Sequence, residues 1–249
     1  LARLVSTERL LIHREIPDNS RASVYIITVG TPLDKAGHVR LDMISRSATD
    51  IAHRLKAGDL VIMRSTVRLG TTRDVVIPIL EGAGVPFDIA FCPERTVEGQ
   101  ALSELRWLPQ VVGATTMTAR VRAARLFNFL TPTVVQVPSI DVAEMIKLID
   151  NTYRDVSFAF ANEVAGMCEA AGINVCDVIN AGKLGYPRTN LPMPGPVGGP
   201  CLEKDPHILT DSVRAYGFEP NLVVTARQQN EAQPDIVISR LKRYTDGRG

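Results

Sequence analysis

The six-residue run Val24–Val29 (VYIITV), closed by Gly30-Thr31-Pro32, is the stretch from which the fold class follows. Short apolar runs rich in β-branched residues are typical of strands buried in a parallel sheet. Similar runs recur downstream at Leu60–Arg64, Phe87–Cys92, Val111–Gly113 and Thr133–Val137. Segments with helical spacing separate them, at Asp42–Leu55, Thr71–Leu80 (interrupted by Pro78) and Ala119–Phe129. This alternation predicts an α/β region built on a doubly wound parallel sheet.

The pattern changes to all-α after Pro138. Ser139–Ala171 predicts one long helix, with Ser139 as its N-cap and Gly172 as its C-cap. Shorter helices are predicted at Val175–Ala181, Asp205–Tyr216 and Leu222–Tyr244, and the proline- and glycine-rich segment Tyr186–Pro200 predicts a loop. The chain is therefore predicted to be α/β in its first part and all-α in its second.

Composition and charge argue against several classes of function. The chain has 249 residues and a net charge of +1, so nothing favours a nucleic acid or an anionic membrane as a partner. The sequence contains no run of 18 apolar residues and no export leader, which predicts a cytoplasmic protein. The four cysteines form no CxxC pair and the four histidines are scattered, so we expect free thiols and no metal site.

Five candidate residues follow the predicted strands at their carboxyl ends, where doubly wound sheets bind ligands. They are Gly30, Ser65, Thr66, Glu94 and Glu98. The two carboxylates, four residues apart, could supply a general base. The same residues are also compatible with an ordinary charged loop and with hydroxyls that have no ligand.

Cys201 follows a glycine-rich stretch in Gly198-Gly199-Pro200-Cys201-Leu202-Glu203-Lys204-Asp205-Pro206 and is predicted to open a helix. Glycines let the backbone approach a ligand closely, and the amides of a helix start favour a thiolate over a thiol. Spacing alone favours the alternative, in which Cys201 is a small buried thiol beside a loop.

Lys147 and Asn151 are four residues apart, so they share one face of the predicted long helix. A lysine and a carboxamide together can stabilise an oxyanion. A solvated helix face is the alternative. The apolar neighbours Met145, Ile146, Leu148 and Ile149 weaken that alternative, because they leave little of this helix free to face water.

Together these motifs resemble the UDP-sugar 6-dehydrogenases, the UDP-glucose/GDP-mannose dehydrogenase family. The resemblance extends from Val24 to about Pro234 and keeps one order. The motifs are a VGTP-like strand end, Ser65-Thr66-Val67, Cys92-Pro93-Glu94-Arg95, the Lys147/Asn151 helix with Asn162-Glu163, and GG-x-C-x-x-x-D at Gly198–Asp205. The CPER form, with Tyr186-Pro187-Arg188 ahead of PGPVGGPC, is most similar to the UDP-N-acetylglucosamine and UDP-N-acetylmannosamine dehydrogenase branch.

The resemblance implies a partial Rossmann-like, dinucleotide-binding domain in residues 1–138 and a helical, dimer-forming middle domain in residues 139–218. Residues 219–249 would form a linking helix towards a UDP-binding domain. It also implies an NAD-dependent, two-step, four-electron oxidation of a nucleotide-sugar C6 alcohol to a uronic acid, as used in polysaccharide biosynthesis, by a homodimer.

The resemblance also implies a role for each candidate residue. Cys201 would be the nucleophile, Lys147 and Asn151 would hold the C6 oxygen, and Asp205 would orient water and the lysine. Thr66 and Glu94 or Glu98 would assist hydrolysis of a thioester. Gly30, Thr31, Ser65, Thr66, Glu98 and Lys204 would line the cofactor. Arg188 and Gly198 would contact the substrate, with Arg188 on a phosphate.

The sequence departs from the family pattern in several respects. It contains no G-x-G-x-x-G turn, so half of the expected cofactor site and the ribose-binding residue that distinguishes NAD from NADP are not found. The chain ends where the substrate-binding domain is expected to begin, and the loop before Cys201 is about one residue shorter than expected. We therefore expect a chain truncated at both ends, with Val24–Val29 at an exposed or wrongly paired sheet edge. Alone, it is expected to bind dinucleotide weakly or not at all and to turn over nothing.

Two other functions stay open at the sequence level. One is a single-step dehydrogenase of the 6-phosphogluconate or 3-hydroxyisobutyrate group, which needs no cysteine. The other is an inactive assembly module. Neither the hexose nor the nucleotide of the substrate follows from these residues.

Overall fold

The computed structural model describes residues 2–7, 9–34 and 37–246 and divides into two compact units. The first unit comprises Leu1–Thr31, Arg40–Thr66 and Gly70–Glu144, and the second comprises Pro32–Val39, Val67–Leu69 and Met145–Gly249.

The first unit is an α/β domain with one five-stranded sheet. Its elements in chain order are α1 (Ala2–Ser6), β1 (Val24–Ile27), α2 (Asp42–Ala52), β2 (Leu60–Met63), a π-helical turn (Thr72–Val76) that continues into α3 (Ile77–Glu81), β3 (Asp88–Phe91), α4 (Ala101–Trp107), β4 (Gln110–Ala114), α5 (Met117–Phe127) and β5 (Val134–Gln136). The strands lie in the order β1-β2-β3-β4-β5. The predicted fold class, an α/β region followed by helices, is confirmed.

One strand pair departs from the parallel sheet that the sequence predicts. Neighbouring strands are parallel except β3 and β4, where Phe91 lies opposite Gly113 in an antiparallel register. The connection from β3 turns back at the carboxyl edge, since Arg95 Nη1 donates to the Pro109 carbonyl at 3.5 Å. Because β4 starts at that edge, it runs back along β3.

β2 is an inner strand of the sheet, and all four of its residues are buried. Leu60 and Ile62 pack in one apolar cluster with the neighbouring strands and with α5, which contributes Ala119, Ala123 and Phe127. In β1, by contrast, only Tyr25 and Ile27 are buried, while Val24 and Ile26 are exposed. Among the described residues β1 pairs only with β2, so this run is an edge strand rather than a fully buried one.

The predicted helix at Thr71–Leu80 begins as a π-helical turn, in which the Ile77 amide bonds to the Thr72 carbonyl. The buried Glu144 carboxylate accepts hydrogen bonds from the Gly70 amide (2.6 Å), the Thr72 amide (3.0 Å) and the Thr72 hydroxyl (2.6 Å). These bonds satisfy amides that a helix start leaves without partners. Burial nevertheless raises the pKa of Glu144.

The second half of the chain is helical: α6 (Ile140–Ala171), α7 (Val175–Lys183), α8 (Asp205–Arg214), α9 (Asn221–Glu231) and α10 (Gln233–Asp246). Both predicted caps of α6 are confirmed. The Ser139 hydroxyl accepts from the Val142 amide, and Gly172 adopts φ = 69° while the Ile173 amide bonds to the Cys168 carbonyl. No described helix combines the length and apolar character needed to cross a membrane.

Gly113 in β4 is required by the close approach of the start of α6. A Cβ added there would lie 2.2 Å from the Ser139 carbonyl oxygen and 2.9 Å from Ala143 Cβ. Because a backbone atom cannot move aside cheaply, Gly113→Ala should lower the free energy of unfolding by about 1–3 kcal/mol. Gly166→Ala is the control in urea unfolding, since that helical site is open and should gain about 0.5–1 kcal/mol. Equal effects of the two changes would contradict the steric explanation.

Candidate active site

Lys147 and Asn151 lie on the buried face of α6, with Lys147 only 9% exposed. The solvated-face alternative for this pair is therefore wrong. Asn151 Nδ2 donates a 2.5 Å hydrogen bond to Asp205 Oδ2 at the start of α8. Leu148 of α6 packs with Ile208 and Leu209 of α8, and this apolar contact holds the two helices together beside the polar group.

Asp205 is a buried carboxylate, and only one of its two oxygens forms a hydrogen bond with a described residue. Oδ2 is bonded to Asn151, whereas Oδ1 has no hydrogen-bond partner among the described residues and lies 3.9 Å from Lys204 Nζ. Burial raises the pKa of Asp205, and the Asn151 hydrogen bond and the charges of Lys204 and Lys147 oppose that rise only in part. A buried oxygen without a partner is expected to accept from a bound water or ligand.

Cys201 is exposed, and the alternative of a small buried thiol is therefore wrong. The sequence predicted that Cys201 opens a helix, and this prediction is wrong. Cys201 lies in the turn just before α8. Its carbonyl accepts from the amides of Lys204 (3.3 Å) and Asp205 (2.9 Å), so the turn leads directly into α8. Cys92 differs sharply, because burial raises the pKa of that thiol to about 12.

The glycines before Cys201 fold over a carboxylate from the same turn. The Gly199 amide donates to Glu203 Oε1 at 3.2 Å, and Gly199 has φ = 96°, a conformation that favours glycine. A Cβ on Gly198 would lie 2.9 Å from the same oxygen. The conformation of Gly199 therefore serves the local turn, whereas a side chain on Gly198 would meet only the flexible end of Glu203. Further back in the loop, the exposed Arg188 guanidinium stacks over the Tyr186 ring at 4.6 Å.

In the first unit, the ends of β1 and β2 bring together four of the predicted cofactor residues. Thr31 Oγ1 donates to the Thr66 carbonyl at 2.5 Å, and Ser65 Oγ donates to the Val29 carbonyl at 2.7 Å. These hydroxyls brace the strand ends. A Cβ on Gly30 would meet no described atom within 4 Å, so the backbone there is open to a ligand. The strand ends thus fit the close approach of a dinucleotide to Gly30.

The structure separates the two carboxylates that follow β3. Glu94 pairs with the buried Arg64 and accepts from the amides of Arg95 (2.8 Å) and Thr96 (2.9 Å). Burial opposes ionisation of Glu94, but the bonds from Thr96 and Arg64 outweigh it and lower its pKa. Glu98, by contrast, lies on an exposed turn. Glu94 therefore has a structural anchor that sequence spacing did not reveal.

A second buried polar group in the helical unit was missed by sequence reasoning. It consists of Asp155, Asn162, Arg227 and Asn230, and all four are buried. The available signal was weak: an acidic residue inside an apolar helical pattern, and an Arg-x-x-Asn spacing in α9.

Within the described residues, no group of three or more His, Cys, Asp or Glu side chains could hold a metal ion.

The raised pKa of Asp205 predicts a pH dependence of stability. The folded protein holds this proton more tightly than the unfolded chain. The contribution of the carboxyl to the free energy of unfolding is therefore full below its unfolded pKa and is lost as the pH rises through the folded pKa. In urea unfolding from pH 3.5 upwards, the stability of the wild type relative to Asp205→Asn should fall with rising pH. Asp42→Asn should show the opposite sign, since an Arg40 hydrogen bond lowers the pKa of Asp42. A flat difference for Asp205→Asn would contradict this prediction.

Comparison with known proteins now gives the family. Residues 1–131 match the NAD binding domain of the UDP-glucose/GDP-mannose dehydrogenase family, and residues 141–232 match its central domain. The first of these matches confirms the predicted NAD cofactor.

Individual relatives agree with the domain matches. The chain is 35% identical to the NDP-N-acetyl-D-galactosaminuronic acid dehydrogenase of Ralstonia nicotianae and 34% identical to the UDP-N-acetyl-D-mannosamine dehydrogenase of Yersinia pestis. Each alignment covers 89% of this chain and 54% of the relative, so the chain spans about half the length of these proteins. The structure of UDP-D-ManNAc dehydrogenase from Pyrococcus horikoshii superimposes with a TM-score of 0.91 at 30% identity, over 98% of this chain and 59% of that one. The chain belongs to the UDP-glucose/GDP-mannose dehydrogenase family.

Proposed function

We propose that this chain supplies the catalytic group of an NAD-dependent nucleotide-sugar 6-dehydrogenase, which oxidises a C6 alcohol to a carboxylate in two steps. The observation that carries the proposal is the buried Lys147, Asn151 and Asp205 group, in which Asp205 follows the exposed Cys201 by one helical turn. A soft nucleophile next to buried polar groups suits the trapping of an aldehyde.

Cys201 connects the two oxidations. Its thiolate adds to the aldehyde carbon of the first product, forming a C–S bond and a thiohemiacetal. Loss of hydride from C6 then gives a thioester, and attack of water on the thioester carbonyl breaks the C–S bond and returns the thiol. The balance is one alcohol, one water and two NAD+ giving one carboxylate, two NADH and three protons. Bound NAD supplies the hydride acceptor for both oxidations.

Lys147 and Asn151 would hold the C6 oxygen as it gains negative charge. Asp205 bonds to Asn151, and its Oδ1, which has no hydrogen-bond partner among the described residues, could accept from the attacking water. On the family resemblance, Thr66 and Glu94 or Glu98 are proposed to assist hydrolysis of the thioester, and Glu94 is held by Arg64. Gly30, Thr31, Ser65 and Lys204 would hold NAD, and Arg188 and Gly198 would contact the substrate.

The relatives suggest the substrate class. They are named for acting on N-acetyl-D-mannosamine and N-acetyl-D-galactosaminuronic acid compounds carried on a nucleoside diphosphate. We therefore propose a UDP-N-acetylhexosamine as the substrate of this enzyme. We also propose that its product is used for polysaccharide synthesis and that the enzyme acts in the cytoplasm.

Reaction stoichiometry tests the proposal. The full-length gene product is supplied with NAD and, in separate reactions, UDP-N-acetylmannosamine, UDP-N-acetylglucosamine or UDP-glucose. NADH is followed by absorbance and the sugar product by mass spectrometry. Two NADH for each carboxylate formed would support the proposal. One NADH and an accumulated aldehyde would point to a single-step dehydrogenase, and no turnover of any substrate would point to an assembly module. The 249-residue chain is titrated with NAD in parallel, and we expect weak binding and no turnover.

We also propose that the protein forms a homodimer through α6. Ile149, Tyr153, Phe160 and Met167 are exposed and lie within a narrow stripe of one helix face. An exposed apolar stripe of this kind is typical of a protein interface.

A charge placed in this stripe should prevent association. Tyr153→Asp/Phe160→Asp is expected to shift the 249-residue chain to a monomer in analytical ultracentrifugation, because two carboxylates would be desolvated in the interface. Val237→Asp/Leu241→Asp, on exposed apolar positions of α10, is the matched control and should leave the mass unchanged. A wild type that is monomeric at all concentrations, or a dimeric α6 variant, would contradict the α6 interface.

A further inference from the structure

The buried polar group formed by Asp155, Asn162, Arg227 and Asn230, here called the α6–α9 network, is not used by the proposed chemistry. Asp155 and Asn162 belong to α6, and Arg227 and Asn230 to α9. Arg227 Nη1 donates to Asp155 Oδ1 at 2.6 Å, and Asn230 Nδ2 donates to the same oxygen at 2.9 Å. Asn162 Nδ2 donates to Asn230 Oδ1 at 3.1 Å. The four side chains therefore form one continuous set of hydrogen bonds.

Arg227 connects this network to the residue after Cys201. Besides its bond to Asp155, Arg227 Nη1 donates to the Leu202 backbone carbonyl at 2.8 Å. A buried guanidinium whose carboxylate partner is itself bonded to Asn230 has little freedom to move. Arg227 of α9, itself bonded to Asp155 of α6, therefore holds the peptide bond after Leu202 in place.

Asn162 connects the same network to Gly195, in the loop that leads to Cys201. Its Nδ2 donates to the Gly195 carbonyl at 3.1 Å, and its Oδ1 accepts from the Gly195 amide at 2.8 Å. The Asn162 carboxamide thus bonds both the N–H and the carbonyl of Gly195, the two groups that a neighbouring β-strand would bond, and so fixes the backbone at this residue. The segment from Gly195 to Leu202 is thus held at both ends by one network.

We propose that the α6–α9 network, with Arg227 as its central member, positions the turn that carries Cys201. This inference rests on the proposed role of Cys201 as nucleophile. Arg227 does not touch the reacting atoms and acts only through the Leu202 carbonyl. The turn needs such support because its neighbours on one side are glycine and proline and its thiol is exposed. A displacement of about 1 Å in a reacting group can cost about 10²-fold in rate.

Hydrogen exchange on the 249-residue chain measures the anchoring directly. In the folded chain the amides of Lys204 and Asp205 bond to the Cys201 carbonyl. Arg227→Met should speed their exchange about tenfold or more, while the amides within α7 exchange at the wild-type rate. Arg214→Met is the matched control, since it removes an exposed arginine at the end of α8 that pairs with Glu219 in the loop after that helix. It should change neither set of amides.

Kinetics on the full-length gene product provide the second readout. Arg227→Met should lower kcat about 10–100-fold with KM changed less than about threefold, because the substrate contacts are kept and only the alignment of the thiol is lost. Arg227→Lys, which keeps a cation opposite Asp155, should recover part of kcat. If Arg227→Met fails to fold, Asp155→Asn/Arg227→Met replaces it, because this pair leaves no unpaired buried charge.

The outcomes separate this inference from the proposed function. Unchanged exchange at Lys204 and Asp205, or faster exchange spread equally over all helices, would overturn the positioning role. Asn162→Ala gives the same decision from the Gly195 end if neither arginine variant folds. If exchange behaves as expected but Cys201→Ser keeps full oxidation, the anchoring stands and the nucleophile assignment fails.

Discussion

Cys201→Ser in the full-length gene product is expected to abolish formation of the uronic acid, with a fall in rate of roughly 10⁴-fold or more. A serine hydroxyl is a much weaker nucleophile than a thiolate and would not trap the aldehyde efficiently. The first oxidation does not need the sulfur. Mass spectrometry should therefore detect an aldehyde-level species, with at most one NADH formed for each sugar.

The other cysteines provide the controls for this prediction. Cys92 and Cys168 are buried, and their change to serine should affect stability more than the reaction. Cys176 is exposed like Cys201 and lies in the first turn of α7, so Cys176→Ser matches the target in exposure. Equal losses of rate in all four variants would mean that the cysteines are only structural and would remove Cys201 from the mechanism.

Much of the fold was predictable because each element has a strong local signal. VYIITV and LVIM are apolar and β-branched, and α6 carries both of its end signals, the Ser139 hydroxyl and the left-handed Gly172. One wrong prediction, the direction of β4, depended on the rest of the molecule. Local patterns do not encode the direction of β4, which follows from where the connection after β3 turns. The short helices α1 and α4 were missed, since five and seven residues give too little periodicity.

The site divides in the same way. Lys147 and Asn151 could be assigned to one face of a helix, because spacing of four fixes that relation. Their burial and the bond to Asp205 could not be assigned, because they depend on α8, which starts 54 positions after Asn151. Spacing gave no means of predicting which of Glu94 and Glu98 is anchored in the fold and which is exposed. The difference arises from Arg64, which lies 30 positions before Glu94 and forms a salt bridge with it.

Lys147→Ala is expected to lower kcat roughly 10²–10³-fold, equivalent to about 2.7–4 kcal/mol of transition-state stabilisation. The reason is the burial of Lys147 on α6 beside Asn151, where a cation is screened little by water. Lys147→Met separates charge from packing, since it keeps most of the apolar stem. Both variants should lose kcat to a similar extent, whereas Lys242→Ala, on an exposed position of α10, should lose none.

A second consequence of removing Lys147 distinguishes a catalytic cation from a merely structural one. The Lys147 charge lowers the pKa of Asp205 and partly offsets the rise that burial causes. Without that charge the pKa of Asp205 should rise further, so the pH at which its stabilising protonation is lost should move upwards in Lys147→Met. Urea unfolding of Lys147→Met and Lys147→Met/Asp205→Asn, followed across pH, measures this shift. An unchanged kcat together with an unchanged pH dependence would show that Lys147 neither faces the reacting oxygen nor acts on Asp205.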